Sequence, residues 1–209
     1  MLFKDCVKMM LEMIQVVVFD ADGVIVRPKT FFVSRAFELY GIPKSEFMAF
    51  IRGDFKRCTT GQLELLEILP AFLERFHVRV EASVFIRQWV EHEHHTDPQL
   101  LERIQNLRSR GTPCYLGTNQ ERNRANYMKL EMGFLRLFDG VYASSDLGAR
   151  KPNTDFYTRL QNEIKVSPEG ILFWDDSLEN VLAARDAGWN AEIFTHLLEF
   201  NKIMKGYGF

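Results

Sequence analysis

Ile14-Gln15-Val16-Val17-Val18-Phe19-Asp20-Ala21-Asp22-Gly23 is the stretch on which the fold turns. Five apolar residues, interrupted only by Gln15, run straight into two carboxylates and a glycine. An apolar run rich in β-branched residues reads as a strand buried on both faces, as in a parallel sheet. Asp20 and Asp22 then emerge where the strand ends, on the carboxyl edge at which open α/β sheets bind their ligands. Two carboxylates this close repel each other, and a fold has no structural need for them. The pair calls for a cation, with a divalent metal the foremost candidate. Taken alone, Asp20-Ala21-Asp22-Gly23 also fits an ordinary turn, because Asp and Gly are common turn residues.

Downstream of this strand the text changes character. Residues 30–91 contain no convincing strand but several helical patterns. Phe31, Phe32, Ala36, Phe37, Leu39 and Tyr40 share a helical face that stops at Gly41, with Pro43 beyond. A short apolar helix follows over 46–51. Leu63, Leu65, Leu66, Ile68 and Leu69 start another, which continues through Pro70 to Phe76. Ser83 is placed to cap a fourth, carrying Val84, Phe85, Trp89 and Val90. From Thr96 onward helices and strands alternate. Asp97-Pro98 opens a helix ending at Gly111; strands are expected over 113–117, 140–144, 171–174 and 191–194, with helices over 122–132, from about 154, and from about 177 to Gly188. Such alternation predicts an α/β fold with a Rossmann-like, doubly wound parallel sheet. Residues 1–26 and 97–209 form the expected core and 27–96 an inserted helical cap. Because the cap leaves and rejoins the sheet near the carboxylates, it is placed to act as a lid.

Composition bounds the function. The chain has 209 residues, 46% of them hydrophobic and 26% charged, with a formal net charge of −2. That is an ordinary globular balance, and no overall basic field draws the chain to nucleic acid or to an anionic membrane. No apolar run approaches the roughly 18 residues of a membrane span. Residues 1–13 mix charges with apolar residues and lack a small-residue cleavage site; they read as a short helix with Cys6, Met9, Met10 and Met13 on its packed side, not as a signal peptide. Cys6, Cys58 and Cys114 are widely spaced and odd in number, the usage expected of a reducing cytoplasm.

Four polar clusters fall where strands should end or just after: Asp20/Asp22, Thr118/Asn119, Arg150/Lys151 and Asp175/Asp176. All strand carboxyl ends of a parallel sheet lie on one edge, so these clusters can converge. Carboxylates suit Mg²⁺, which keeps several waters and also takes a phosphate oxygen; a lysine and Thr/Asn donors then suit the remaining phosphate oxygens. The arrangement resembles the haloacid dehalogenase superfamily of phosphatases and phosphotransferases. Val18-Phe19-Asp20-Ala21-Asp22-Gly23-Val24 is similar to its first motif, and Leu116-Gly117-Thr118-Asn119 to its second. Leu147-Gly148-Ala149-Arg150-Lys151-Pro152 is similar to the third, and Phe173-Trp174-Asp175-Asp176-Ser177-Leu178-Glu179-Asn180 to the fourth. The resemblance covers residues 14–26 and 96–194, and the insert has the size and position of the helical cap found in one subfamily. The third and fourth motifs look most like those of sugar-1-phosphate phosphatases and of the N-terminal phosphatase domain of soluble epoxide hydrolase.

The resemblance implies roles. Asp20 is the nucleophile that forms an aspartyl-phosphate. Asp22 is the general acid and then base, protonated at the outset with the help of Asp20's charge. Asp20, the Asp22 carbonyl, Asp175 and Asp176 hold Mg²⁺; Thr118, Asn119 and Lys151 bind the phosphoryl group. True dehalogenases of the superfamily lack an acid two residues after the nucleophile, so Asp22 disfavours that reaction. The expected substrate is a small phosphorylated metabolite, with a sugar phosphate suggested by resemblance alone. A phosphomutase or phosphotransferase with the same intermediate, or a catalytically idle member binding a phosphorylated ligand or a protein, is the alternative. Glu91-His92-Glu93-His94-His95 invites a metal-site reading but is expected to be a solvated hinge. Arg52, Asp54, Lys56 and Arg57 read mostly as surface charges. Should some of Phe31, Phe32, Phe47, Phe50 and Phe55 line the cleft, the pocket would be partly apolar.

Overall fold

A computed structural model of the protein describes residues 14–209. The helix expected over 1–13 lies outside the described residues. Val16–Phe19 forms β1, the central strand of a five-stranded sheet. Its neighbours are β2 (Cys114–Thr118) on one side and β4 (Ile171–Asp175) on the other, with β3 (Gly140–Ala143) and β5 (Asn190–Ile193) at the edges. The order is β3-β2-β1-β4-β5 and every pairing is parallel, with Phe19 opposite both Leu116 and Trp174. The chain winds outward from β1 through β2 to β3, returns beside β1 as β4, and ends on β5. Between β1 and β4 the winding reverses, the place where such sheets open a ligand crevice.

Alternation along the strands builds two core layers. Val17 and Phe19 of β1, with Leu172 and Trp174 of β4, face one layer. Val16, Val18, Ile171 and Phe173 face the other. The first layer is covered by α6 (Pro98–Ser109) and by α12 (Leu197–Gly206), a C-terminal helix absent from the sequence reading. Phe200 of α12 sits 4.7 Å from the Trp174 ring and 6.1 Å from that of Phe19, centroid to centroid. Burying a side chain of this size contributes about 2–3 kcal/mol. The second layer is covered by α10 (Thr154–Ile164) and α11 (Leu178–Asp186), through Phe156, Tyr157, Leu160 and Val181. Asp97 caps α6 as expected, its carboxylate accepting from the Gln99 and Leu100 amides at 3.1 Å each, with Pro98 in the first turn.

Between β1 and α6 lie five helices: α1 (Phe32–Tyr40), α2 (Lys44–Arg52), α3 (Phe55–Cys58), α4 (Leu65–Glu74) and α5 (Ala82–His92). They enclose a separate cluster in which Phe32, Phe47, Phe72, Phe85 and Trp89 pack ring against ring. The single-turn α3 was not expected. Helix α5 starts before Ser83, with Glu81 in the capping position and no side-chain capping bond. The two segments joining this bundle to the sheet run side by side. Arg27 N donates to His95 O at 2.7 Å and Asp97 N to Ile25 O at 2.8 Å. Tyr127 of α7 (Arg122–Leu130) is buried against the helical cluster from the sheet side, and two single-turn helices, α8 (Phe134–Leu137) and α9 (Ser144–Leu147), precede and follow β3. No helix among the described residues is long and apolar enough to cross a membrane.

Candidate active site

The end of β1 and the end of β4 place Asp20 and Asp175 side by side at the reversal point. Asp20 N donates to Trp174 O at 2.8 Å, which extends the pairing by one residue and holds the carboxylate at the rim. Lys151, 1% exposed, inserts between the two acids. Its Nζ lies 2.9 Å from Asp20 Oδ1 and 2.6 Å from Asp175 Oδ2. Asp175 is fully buried and accepts in addition from Ser177 N at 2.9 Å and from Asn180 Nδ2 at 3.0 Å. Asp20 also accepts from Ala21 N at 2.7 Å. An ammonium 1% exposed is stable only because two anions enclose it.

Asp176 completes an acidic trio. Ligand oxygens of Asp20, Asp175 and Asp176 lie within 4.8 Å of one another. Three carboxylates against one ammonium leave the cluster short of positive charge. Burial, together with the charges of Asp175 and Asp22, pushes Asp20 up to about 7 despite the opposing pull of Lys151. Burial and then Asp175 likewise raise Asp176. For Lys151 the loss of water acts downward, and the Asp20 and Asp175 charges outweigh it, so its net shift is upward. Hard oxygen donors gathered with too little cationic charge fit Mg²⁺. Gly23 is required beside them: its φ is +80°, and a Cβ there would meet Asp176 Oδ2 at 1.9 Å.

The other expected residues divide. Thr118, 2% exposed at the end of β2, stands at the same rim. Asn119 does not present its amide freely to a phosphate. Its Nδ2 donates to Lys151 O at 3.0 Å and its Oδ1 accepts from Lys151 N at 2.9 Å, so it clamps the lysine's backbone. The Asp22 side chain is outside the trio. Its Oδ1 accepts from Arg124 Nη2 and its Oδ2 from Gln120 Nε2, both at 2.7 Å. It faces a cavity of about 340 Å³ beneath the helical insert, lined mainly by apolar side chains of α1, α2, α3 and α5 together with Asn119, Gln120, Glu93 and Arg124.

The hinge expected to be solvated contains a buried ion pair. Glu93 is 6% exposed; its Oε2 accepts from Arg124 Nη1 at 2.9 Å, and its Oε1 from Phe32 N at 2.9 Å and Trp89 Nε1 at 3.1 Å. One carboxylate therefore anchors the first turn of α1, the last turn of α5 and the arginine that holds Asp22. His92 meets Thr30 at 3.2 Å and His94 meets Tyr127 at 2.7 Å, so these histidines serve local bonding. Gln120 and Arg124 carry no signal in the sequence, and Glu93 reads there only as part of the solvated run 91–95. Asn180 lies within the fourth motif, which is its local signal.

The chain belongs to the haloacid dehalogenase-like hydrolases, whose family model matches residues 14–188. It is 34% identical over 93 residues to a sesquiterpene phosphatase of Aspergillus oryzae, covering 44% of this chain and 47% of that protein. It is 24% identical over 184 residues to a phosphorylated carbohydrates phosphatase of Thermotoga maritima, covering 83% and 82%. The chain thus spans less than half the length of the first of these relatives. Among solved structures, a HAD family enzyme from Bacteroides thetaiotaomicron superposes with a TM-score of 0.77 at 17% identity, over 88% of this chain and 94% of the other. The same enzyme in complex with magnesium and inorganic phosphate gives a TM-score of 0.76 at 17% identity, over 87% and 94%. These similarities establish the α/β Rossmann-like fold of the family.

Proposed function

We propose that the protein is a Mg²⁺-dependent phosphatase that hydrolyses a small phosphate monoester through an aspartyl-phosphate. The observation that carries this reading is Lys151 held between Asp20 and Asp175, with Asp176 alongside, at the reversal point of the sheet. The phosphatase names of two relatives and the magnesium and phosphate bound to the Bacteroides enzyme support it.

An Asp20 oxygen attacks phosphorus, forming an acyl-phosphate bond as the ester P–O bond breaks. Asp22 delivers a proton to the departing oxygen and later removes one from the water that cleaves the acyl phosphate. For the first task its side chain must release Arg124 and Gln120, because both its oxygens now accept. Lys151 stabilises the charge spreading over nucleophile and phosphoryl oxygens. Thr118 donates to a phosphoryl oxygen, and Asn119 sets the lysine's backbone. Mg²⁺, when held by Asp20, Asp175, Asp176 and the Asp22 carbonyl, supplies charge neutralisation between nucleophile and phosphate.

The test is phosphate release from a generic aryl phosphate with and without Mg²⁺. Asp20→Asn should abolish turnover, a fall of at least about 10³-fold, while leaving the urea midpoint folded and cooperative. Undiminished release in that variant would refute the nucleophile assignment. With a sugar phosphate as substrate, whose other hydroxyls can accept the phosphoryl group, isomerised product in place of free phosphate would identify a mutase.

A further inference from the structure

We infer that the organic part of the substrate is an apolar chain, the substrate being the phosphate monoester of a lipophilic alcohol of roughly ten carbons. This rests on the phosphatase reading above. The cavity is assigned to the leaving group because Asp22, the proposed acid, and Asn119, which clamps the Lys151 backbone, both line it. Its apolar wall includes Phe31, Val33, Met48, Ile51, Phe55 and Trp89. Phe31 stands at the rim with 63% of its surface exposed, an apolar ring left in water at the entrance to a catalytic cleft.

The polar side chains of the cavity are already engaged with protein. Glu93 accepts from Phe32 N, Trp89 Nε1 and Arg124; Arg124 spans Glu93 and Asp22; Asn119 grips the Lys151 backbone; Gln120 donates to Asp22. A sugar would bring several hydroxyls into this space, and each would exchange water for a wall that is chiefly hydrocarbon. A site built for hydroxyls presents free partners to them. Here the wall rewards methylenes. At the ~30 Å³ that one water occupies in the liquid, nearly the size of a methylene, the cavity of about 340 Å³ holds roughly eleven such groups.

Rates on a series of n-alkyl phosphates from ethyl to decyl, with glucose 6-phosphate alongside and Mg²⁺ present, test the inference. The expected result is a kcat/KM that rises roughly two- to fourfold per added methylene, the upper figure being full transfer of one methylene out of water. The hexose phosphate should fall near ethyl phosphate. Met48→Gln and Ile51→Asn place amides in the half-buried wall and should each lower the decyl-to-ethyl ratio about tenfold. A series flat in chain length, or a hexose phosphate that outruns decyl phosphate, would overturn the inference while leaving the phosphatase reading intact. Calorimetric binding of decylphosphonate against ethylphosphonate to the Asp20→Asn protein needs no turnover. Chain-length-dependent binding combined with no phosphate release by the wild type would retain the pocket and overturn the hydrolytic reading.

Discussion

Replacing Glu93 by Ala removes one carboxylate and three hydrogen bonds. Phe32 N and Trp89 Nε1 lose their acceptor, and Arg124 keeps only Asp22. Breaking a buried ion pair costs about 3–5 kcal/mol, because the surviving charge is left buried. Each orphaned neutral donor adds about 1–3 kcal/mol. These contributions share one group and do not add fully, so the expected loss is about 4–6 kcal/mol. Against a total stability of about 5–15 kcal/mol, that is a large fraction. With a urea m-value of about 2 kcal/mol per M, the midpoint should fall by about 2–3 M. Glu93→Gln keeps Oε1 as the acceptor for Phe32 and Trp89 but sets an amide NH2 against the Arg124 donor, so it should cost about 3–4 kcal/mol, less than Glu93→Ala. Equilibrium urea unfolding of Glu93→Ala, Arg124→Met and the double variant closes the cycle, with an expected coupling above about 2 kcal/mol. A loss under about 1 kcal/mol for Glu93→Ala, or a coupling near zero, would show that this ion pair is not formed in solution.

Gly23→Ala should cost only about 1–2 kcal/mol of stability for the positive φ, since the clashing Asp176 carboxylate can swing aside. That displacement should weaken Mg²⁺ binding about tenfold or more, as read by metal titration; unchanged affinity would remove Asp176 from the ligand set. Asp139 sits at 2.8–2.9 Å from Arg108 and accepts from Cys114 N, and the Arg108 bond foremost holds its carboxyl below the usual range, against the opposing effect of burial. A depressed folded-state pKa contributes stability above the unfolded value of ~3.9 that is lost as pH falls through the folded value. Both side chains are about a third exposed, so Asp139→Asn should cost only about 1 kcal/mol at pH 7. The melting-temperature gap to wild type should narrow as pH falls below that unfolded value, and a gap independent of pH would contradict the linkage.

What the sequence made legible is what local pattern encodes. β1, β2 and β4 are apolar runs ending in polar pairs, and their alternation with helices made the parallel sheet legible, while the order β3-β2-β1-β4-β5 came from the structure. Asp20, Thr118, Lys151, Asp175 and Asp176 were readable because each sits at a strand end or within a motif just beyond one. Arg124 and Glu93 were not. Their pairing joins residues 31 positions apart, and a glutamate among histidines reads as solvated until the fold buries it beside Trp89. Asn119 was readable as a polar rim residue, but the direction of its amide depends on the Lys151 backbone, which arrives from beyond β3. Helix α3 is a single turn, too short for any periodicity to register. Helix α5 starts without a capping side chain, which is why Ser83 misled the reading of its boundary.

The central place of β1 has a consequence for biosynthesis. Val17 meets Cys114 and Val16 meets Ile171, so the most apolar strand leaves the ribosome long before either neighbour exists. Pairings this remote slow folding, and an unpaired hydrophobic edge in the nascent chain is open to aggregation. The helical insert, whose buried apolar cluster is its own apart from Tyr127, can condense meanwhile; the sheet must wait for β4. Truncation after Gly170 should therefore leave a protease-sensitive product with one open flank on β1, and a protease-resistant fragment would show that the sheet closes without its later half.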